Sequence, residues 1–345
     1  MNLAPGEILW RCLGERGFAI SSFAWTRDLV VQRFIVIRAF HAVIALLAVS
    51  LIIFSLARLS GNPLDTLLDI DATEEDFARV SAHWGLDQPL HIQYFKYLGN
   101  VVTGNLGESI RWQGQDAMGL LLQRLPATLE LAFFSLLVSA IIALPIGVIV
   151  AVKKDTGIDV AGKIFALFGQ SMPSFALGLL LMWIFAVQLG WLPTSGRGSV
   201  FLDTGSGSAK NLILPAVALG YFQVAAIMRL TRSSMLEVLD TEYVKLARIK
   251  GISETKVIWK HCLRNALTAP LTYFGLILGG FMTGSVVIET IFTWPGVGLL
   301  AIDAVRAKDF QVVQSVVVLF AGIYIVANLL VDILYAYLDP RVRYN

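Results

Sequence analysis

The sequence predicts an all-α polytopic membrane protein with six transmembrane helices and with both termini in the cytoplasm. Composition is the first reason: 56% of the 345 residues are hydrophobic and 15% charged, whereas charged residues approach a quarter of a soluble domain. The second is a set of six long apolar runs, at 39–59, 129–152, 164–189, 212–228, 271–292 and 312–335. At ~1.5 Å rise per residue, about twenty residues cross a hydrocarbon core of ~30 Å. The third is charge asymmetry. Six spans put both termini on one side, and the loops of that side hold about two thirds of the 27 Lys and Arg, the bias that marks a cytoplasmic face. A net charge of +2, with no basic stripe interleaved with aromatics, excludes a nucleic-acid partner. Two cysteines, Cys12 and Cys262, both in segments assigned to the cytoplasm, exclude a disulfide framework.

Taken in order, residues 1–38 form a cytoplasmic N-terminal extension with Arg11, Arg16, Arg27, Arg33 and Arg38 and no apolar core, its last dozen residues suited to an interfacial helix. Residues 39–59 are the first span. Ala48-Val49-Ser50 has the look of a signal-peptidase site, but the leader before the apolar run is too long and the run continues past the site, so the span reads as an uncleaved anchor. Residues 60–126 form an acidic extracytoplasmic segment, long enough for a small folded cap, with Asp65, Asp69, Asp71, Glu74, Glu75, Asp76, Asp87, Glu108 and Asp116. The remaining five spans occupy 127–345. The 212–228 run is the shortest and crosses only if Arg229 snorkels or its neighbours shelter it. Pro145, Pro173, Pro215 and Pro270 lie in or at the edges of spans two to five, where neighbouring helices can satisfy the freed carbonyl, so tolerance is favoured over hinges. Gly275 with Gly279, and Gly280 with Gly284, are small-xxx-small pairs that predict close packing, within the subunit or against another.

Between the fourth and fifth spans lies a polar loop, 231–268, whose centre reads DTEYVKLARIKGISETKVIWKHCLRNALTA from Asp240 to Ala269. Asp240 or Thr241 is placed to cap a helix on which Tyr243, Leu246 and Ala247 share an apolar face, and Gly251 sits where a left-handed residue ends it. A second helix starts at Ser253, with Glu254 in its first turn. Lys245, Arg248, Lys250, Lys256, Lys260 and Arg264 make the unit a surface for water or for a partner.

Polar residues at membrane depth are costly and tend to face a bundle interior. Gln170, Ser171, Met172 and Ser174 in the third span, Tyr221 and Gln223 in the fourth, Thr283 and Ser285 in the fifth and Asn328 in the sixth therefore either line a translocation path or bond between helices. Glu289, near the outer end of span five, either gates the outer mouth or sits at the interface, and Asp332 reads as interfacial or paired. No GxxxxGK[ST] phosphate loop occurs; Gly205 to Lys210 lacks its ending and falls on the outer side. Glu74-Glu75-Asp76-Phe77-Ala78-Arg79 spells EExxxR, and with His83 or His91 would suit a membrane protease, but these groups stand in a polar stretch outside the spans. Gly107-Glu108-Ser109 likewise lies outside a span.

Glu242-Tyr243-Val244, Ala247-Arg248, Lys250-Gly251 and Arg264-Asn265-Ala266-Leu267 resemble the EAA loop of ABC importer permeases, in the form of the dipeptide, oligopeptide and nickel branch. Lys245 stands where the motif's name-giving Glu belongs and Leu246 at its first Ala; Ala247 and Gly251 fit. Gly61-Asn62-Pro63, GLDQPL (85–90), QYFKYL (93–98), GNLGESI (104–110) and RLPATLEL (124–131) are similar to the first, B-type permease subunit, which usually has Asp where Asn62 stands. Gly190-Trp191-Leu192-Pro193 with Ser195-Gly196, IETIFTWPGVG (288–298) and Asp339 to Tyr344 extend the likeness from about residue 30 to the end.

This resemblance implies a type I importer permease in a bacterial or archaeal cytoplasmic membrane. Its partners would be a second homologous permease, two ABC ATPase subunits carrying ATP and Mg, an extracytoplasmic solute-binding protein and membrane lipid, with no cofactor in this chain. It implies an ATPase-coupling role for Glu242, Tyr243, Leu246, Ala247, Arg248, Lys250, Gly251 and Ser253. Tyr243, Leu246 and Ala247 would be the knob in an ATPase cleft, with Arg248 and Lys250 at its rim. Dipeptides, longer peptides, nickel complexes and glutathione-like solutes all stay open as cargo. The alternatives from other classes are an EExxxR-type membrane enzyme and a passive channel or sensor.

Overall fold

A computed structural model describes residues 36–59, 73–112, 114–198 and 208–338. The expectations placed on Cys12, Asn62, Asp65, Asp69, Asp71, Gly205 and the tail from Asp339 lie outside these residues, as do the side chains of Asp76, His83 and Asp332. Among the described residues the structure is helical, with one isolated antiparallel bridge between Glu108 and Asp116.

Five helices are long and apolar enough to cross a membrane, and a sixth crossing is available if a bent pair counts as one span. Helix α1 (Val36–Leu59) is the first. Within the acidic segment, α2 (Glu74–Trp84) and α3 (Leu90–Thr103) fold before the second span. That span, α4 (Ala117–Val152), begins well before the apolar run at 129. Asp116 starts it, its Oδ2 accepting from Gly119 N at 3.1 Å, and Ala117, Leu120 and Leu121 are buried, so 117–126 belongs to the span's helix although Arg124 and Pro126 interrupt its apolar pattern.

The third span departs most from expectation. In place of one helix over 164–189, α5 (Gly157–Ser171) and α6 (Ser174–Gln188) meet at a bend of 100°. Pro173 carries no N–H and its ring pushes the preceding residue out of the helical region. Met172 is accordingly extended, at φ −104 and ψ 126. Pro145 and Pro215, by contrast, stay inside continuous helices, and Pro270 falls in the first turn of α10 (Thr268–Ile291), where no helical N–H is needed.

Helix α7 (Ser208–Leu239) runs far past the apolar stretch 212–228, and Thr231 and Met235 keep its polar half packed. It lies against α4 at close quarters because small residues face one another. A Cβ on Gly147 would stand 2.7 Å from Thr231 Cβ. Ser139 Oγ donates to Ser135 O at 2.7 Å and to Gly220 O at 2.8 Å, stitching the two helices together at the core. Helix α8 (Glu242–Ile249) and the helical stretch α9 (254–266) then lead to α10. Helices α11 (Val297–Arg306) and α12 (Phe310–Leu338) complete the fold. Of the two glycine pairs on α10, Gly275 and Gly279 face Val331 and Tyr324 of α12, whereas a Cβ on Gly280 would meet nothing within 4 Å.

Asp309, fully buried, holds the segment before α4 against α12. Its Oδ2 accepts Ser109 Oγ at 2.5 Å, Ile110 N at 3.0 Å and Arg111 N at 3.1 Å, while Oδ1 accepts Val312 N at 3.2 Å in the first turn of α12. Asp309→Ala leaves those donors without an acceptor, a loss of about 2–4 kcal/mol. Limited proteolysis is expected to cut the variant faster between 105 and 115, with Asp309→Asn intermediate; an unchanged cleavage rate would show that the loop is held by other contacts.

Candidate functional site

The polar loop forms a rooted platform. Thr241 has the extended backbone of an N-cap, but its hydroxyl donates back to Val238 O at 2.5 Å and not into α8. Glu242 supplies the negative charge that the helix start favours. Val244 is fully buried in a small apolar core with Val148 and Ala151 from the end of α4, Met235 from α7, and Val257, Cys262 and Ala266 from α9. Tyr243 (41% exposed), Leu246 (51%) and Ile249 (81%) form the opposite, outward face.

This corrects the expected knob. Ala247 packs against the small core, and Ile249 takes its place outside. Once Val244 points inward, residues one helical step on follow it, and positions i, i+3 and i+6 from Tyr243 share the exposed side. Arg248 is also committed elsewhere: its Nη2 and Nε reach Glu254 Oε1 and Oε2 at 2.8 and 3.2 Å, clamping α8 to α9 across the elbow. Hydrogen bonding from Arg248 holds the Glu254 carboxyl below its usual range, and the same contact raises the Arg248 guanidinium. Both side chains are substantially exposed, so the pair orients the elbow more than it stabilises it.

Gly251 ends α8 at φ 74, as expected. Gly251 N donates to Arg248 O at 2.9 Å and Ile252 N to Ala247 O at 3.3 Å, the paired bonds of a Schellman stop. Ser253 precedes α9, whose middle, Val257–Cys262, is a π turn. Tyr243 OH accepts from Asn265 Nδ2 at 2.7 Å, a second tie between the two helices. Burial pushes the Cys262 thiol up, leaving it an apolar filler. Lys250 is exposed, and Lys245 pairs with Glu242 at 2.8 Å.

The membrane-depth polar residues divide into separate groups. Gln170 is exposed near the bend and its Oε1 accepts from Arg229 Nη1 at 3.0 Å; Ser171 is exposed, and Met172 and Ser174 are half-buried. Tyr221 is buried, its hydroxyl donating to Phe165 O at 2.8 Å and its ring filling the space beside Gly169. Gln223 Oε1 accepts from Tyr273 OH at 3.1 Å, and Tyr273 and Asn328 line a cavity of about 400 Å³ with Arg38 and Thr272. Asn328 Oδ1 is buried there without a partner. Thr283 is exposed and bonds back to Gly280 O.

Ser285 and Glu289 lie in the subunit interior, bonded to each other at 3.0 Å, and both are fully buried. Glu289 is therefore neither a gate at an open mouth nor an interfacial residue. Its Oε2 accepts from Leu299 N at 3.1 Å, so a carboxylate from α10 caps the start of α11. Val297 N donates to Thr128 Oγ1 at 2.8 Å and the Trp294 indole to Ala127 O at 2.8 Å, which pins the same turn to α4. Arg197, paired with Glu130, lies 5.9 Å from the Trp294 ring.

Another buried carboxylate escaped sequence reasoning. Asp159 on α5 accepts Lys163 Nζ at 2.9 Å and both Arg232 Nε and Nη2, at 3.2 and 3.1 Å, tying α5 to α7. It stands in a short polar stretch with no periodicity to flag it.

Residues 143–344 match the family described as the binding-protein-dependent transport system inner membrane component, and residues 31–132 match the N-terminal family of such membrane components. The chain is 39% identical to the dipeptide transport system permease protein DppB of Alkalihalophilus pseudofirmus, over 87% of this chain and 96% of the relative. It is 41% identical to the di/tripeptide transport system permease protein DppB of Pseudomonas aeruginosa, over 86% and 94%. It is 39% identical to the glutathione transport system permease protein GsiC of Salmonella paratyphi A, over 87% and 95%. A crystal form of the inward-facing MetNI methionine ABC transporter superposes with a TM-score of 0.50 at 20% identity, over 62% of this chain and 94% of that one, a likeness of fold. With its core and its N-terminal part both matched, and relatives near 40% identity along most of its length, the chain belongs to the inner membrane components of binding-protein-dependent transport systems.

Proposed function

We propose that this chain is the B-type permease subunit of an ATP-driven importer of peptides or similar small solutes. Its place is a bacterial or archaeal cytoplasmic membrane, with both termini and α8 on the cytoplasmic side. Two ATPase subunits, with their ATP and Mg, would dock on α8, a second homologous permease would complete the path, and an extracytoplasmic binding protein would deliver the solute. The dipeptide, di/tripeptide and glutathione relatives support a peptide-like cargo.

The observation that carries the reading is the two-sided α8: Val244 is rooted among the ends of α4, α7 and α9, while Tyr243, Leu246 and Ile249 face outward as an apolar contact. A push on the outer face moves the three-helix root as one body, and α7 and α10 carry that motion into the membrane. Gln170, Ser171, Met172, Ser174, Gln223, Thr283 and Asn328 are this subunit's contribution to the path.

Burying Leu246 and Ile249 in an ATPase cleft contributes about 1.5–3 kcal/mol each. Leu246→Asp or Ile249→Asp should therefore weaken ATPase association at least about tenfold. The test is solute uptake by proteoliposomes containing the whole complex, with ATPase copurification measured in parallel. Wild-type uptake and association in both variants, or full uptake by this chain alone without nucleotide, would refute the proposal.

A further inference from the structure

Opposite the α8 end, two cavities meet at the outer end of α1. One, of about 640 Å³, is mainly apolar, and its walls include Leu51, Leu59 and Leu90, all exposed. The other, of about 400 Å³, is polar and lies between α1, α3, the 105–108 loop and α12, with Lys96, Asn100, Asn105, Gln311 and Gln314 among its lining. Phe54, Arg58 and Gln93 line both, so a polar and an apolar chamber adjoin across these three side chains.

The shared residues have unused bonding capacity. Arg58 stacks on Phe54 at 5.2 Å, and its buried Nε makes no hydrogen bond. Gln93 is only 9% exposed; its Nε2 is fixed on Leu86 O and Gln88 O at 3.2 and 2.7 Å, while its Oε1 is left buried without a donor. The Tyr97 hydroxyl is buried and unpartnered too. A half-buried guanidinium and an amide oxygen left this way are costly, and ligand groups of the opposite character relieve the cost. Among the described lining residues, two cations, Arg58 and Lys96, stand against one carboxylate, Glu108.

We propose that this space is a phospholipid site, with the phosphodiester on Arg58, an acyl chain in the leucine-lined chamber and the headgroup in the polar one. The apolar chamber on the membrane-facing helix selects a chain-bearing ligand over a soluble zwitterion, and the Arg58 guanidinium offers a phosphodiester charge-assisted hydrogen bonds. Gln93 Oε1 is an acceptor in need of a donor, so the headgroup carries one: ethanolamine or glycerol, and not choline.

The test is native mass spectrometry of the intact delipidated complex titrated with dioleoyl phosphatidylethanolamine, phosphatidylglycerol or phosphatidylcholine. Chain-free glycerophosphoethanolamine and dialanine serve as soluble probes. One ethanolamine or glycerol lipid per copy should bind at least tenfold more tightly than the choline lipid, and far more tightly than either soluble probe. Arg58→Gln should lose most of this binding. Leu90→Trp, which fills the apolar chamber and leaves Arg58 in place, should lose it as well, so that misassembly of one variant does not decide the matter. Equal lipid binding by the wild type and both variants, or equal binding of choline lipid, overturns the proposal. Binding of glycerophosphoethanolamine or dialanine as tight as that of lipid also overturns it and assigns the space to a soluble zwitterion.

Discussion

Gly251→Val is expected to abolish ATP-driven uptake by the reconstituted complex, by tenfold or more, while the chain still inserts and assembles in the membrane. The residue sits at φ 74, which an L side chain adopts at a cost of roughly 1–2 kcal/mol, and more when the side chain is β-branched. Space is not the issue, since a Cβ there meets no atom within 4 Å. Backbone strain alone acts, and it acts at the bond pair that ends α8, Gly251 N to Arg248 O and Ile252 N to Ala247 O. A valine relieves the strain by opening that stop, which turns the Tyr243, Leu246 and Ile249 face away from its direction relative to α9 and lengthens the Arg248–Glu254 clamp. On the proposed coupling, ATP hydrolysis would then proceed without moving α7 and α10. Gly251→Asn, a residue that tolerates the left-handed region, should keep most uptake, and Gly251→Ala should fall between. Uptake per ATP hydrolysed is the quantity to measure. Wild-type coupling in the valine variant would remove the elbow from the transport cycle.

Local features of this kind were legible in the sequence because they depend on near neighbours. Gly251 follows an apolar helical face and precedes Ser253 and Glu254, and both the stop and the restart fall where those residues put them. The long apolar runs were legible for the same reason. The bend at Pro173 was not, because Pro145 and Pro215 carry the same local signal inside unbroken helices; what separates them is whether packed neighbours hold the helix straight. Val244 against Ala247 was ambiguous too, since the inward position is set by Val148 on α4 and Met235 on α7, far off in sequence. Buried carboxylates were the hardest to place. Asp309 binds Ser109 across 200 residues and Asp159 binds Arg232 across 73, so their roles have no local signature.

The second large effect is expected at Glu289. Replacing it with alanine should lower the thermal unfolding midpoint of the chain by roughly 3–6 °C, the consequence of roughly 2–4 kcal/mol lost at one buried site. Its carboxylate serves Ser285 Oγ and Leu299 N, and it lies at the start of α11, where a negative charge is favoured. Ser285 keeps a fallback in Met282 O at 2.9 Å, so the orphaned Leu299 N–H and the emptied space beside Thr128 dominate the loss. Gln at this position keeps the volume and one acceptor oxygen but puts an N–H donor in place of the second, and should show about half the shift. Thr283→Ala, nearly two turns away on the exposed side, should change stability by less than about 0.5 kcal/mol. A double-mutant cycle isolates the latch from general damage. A Cβ on Gly296 would run into the Glu289 carboxylate and Thr128 Oγ1, so Gly296→Ala is destabilising alone but partly accommodated once Glu289 is cut back. The pair should therefore lose less than the sum of the two single variants by at least about 0.5 kcal/mol. Strict additivity would mean that the carboxylate and the Trp294-Pro295-Gly296 turn do not share one packed site, and Glu289 would return to being a residue with a separate role in the path.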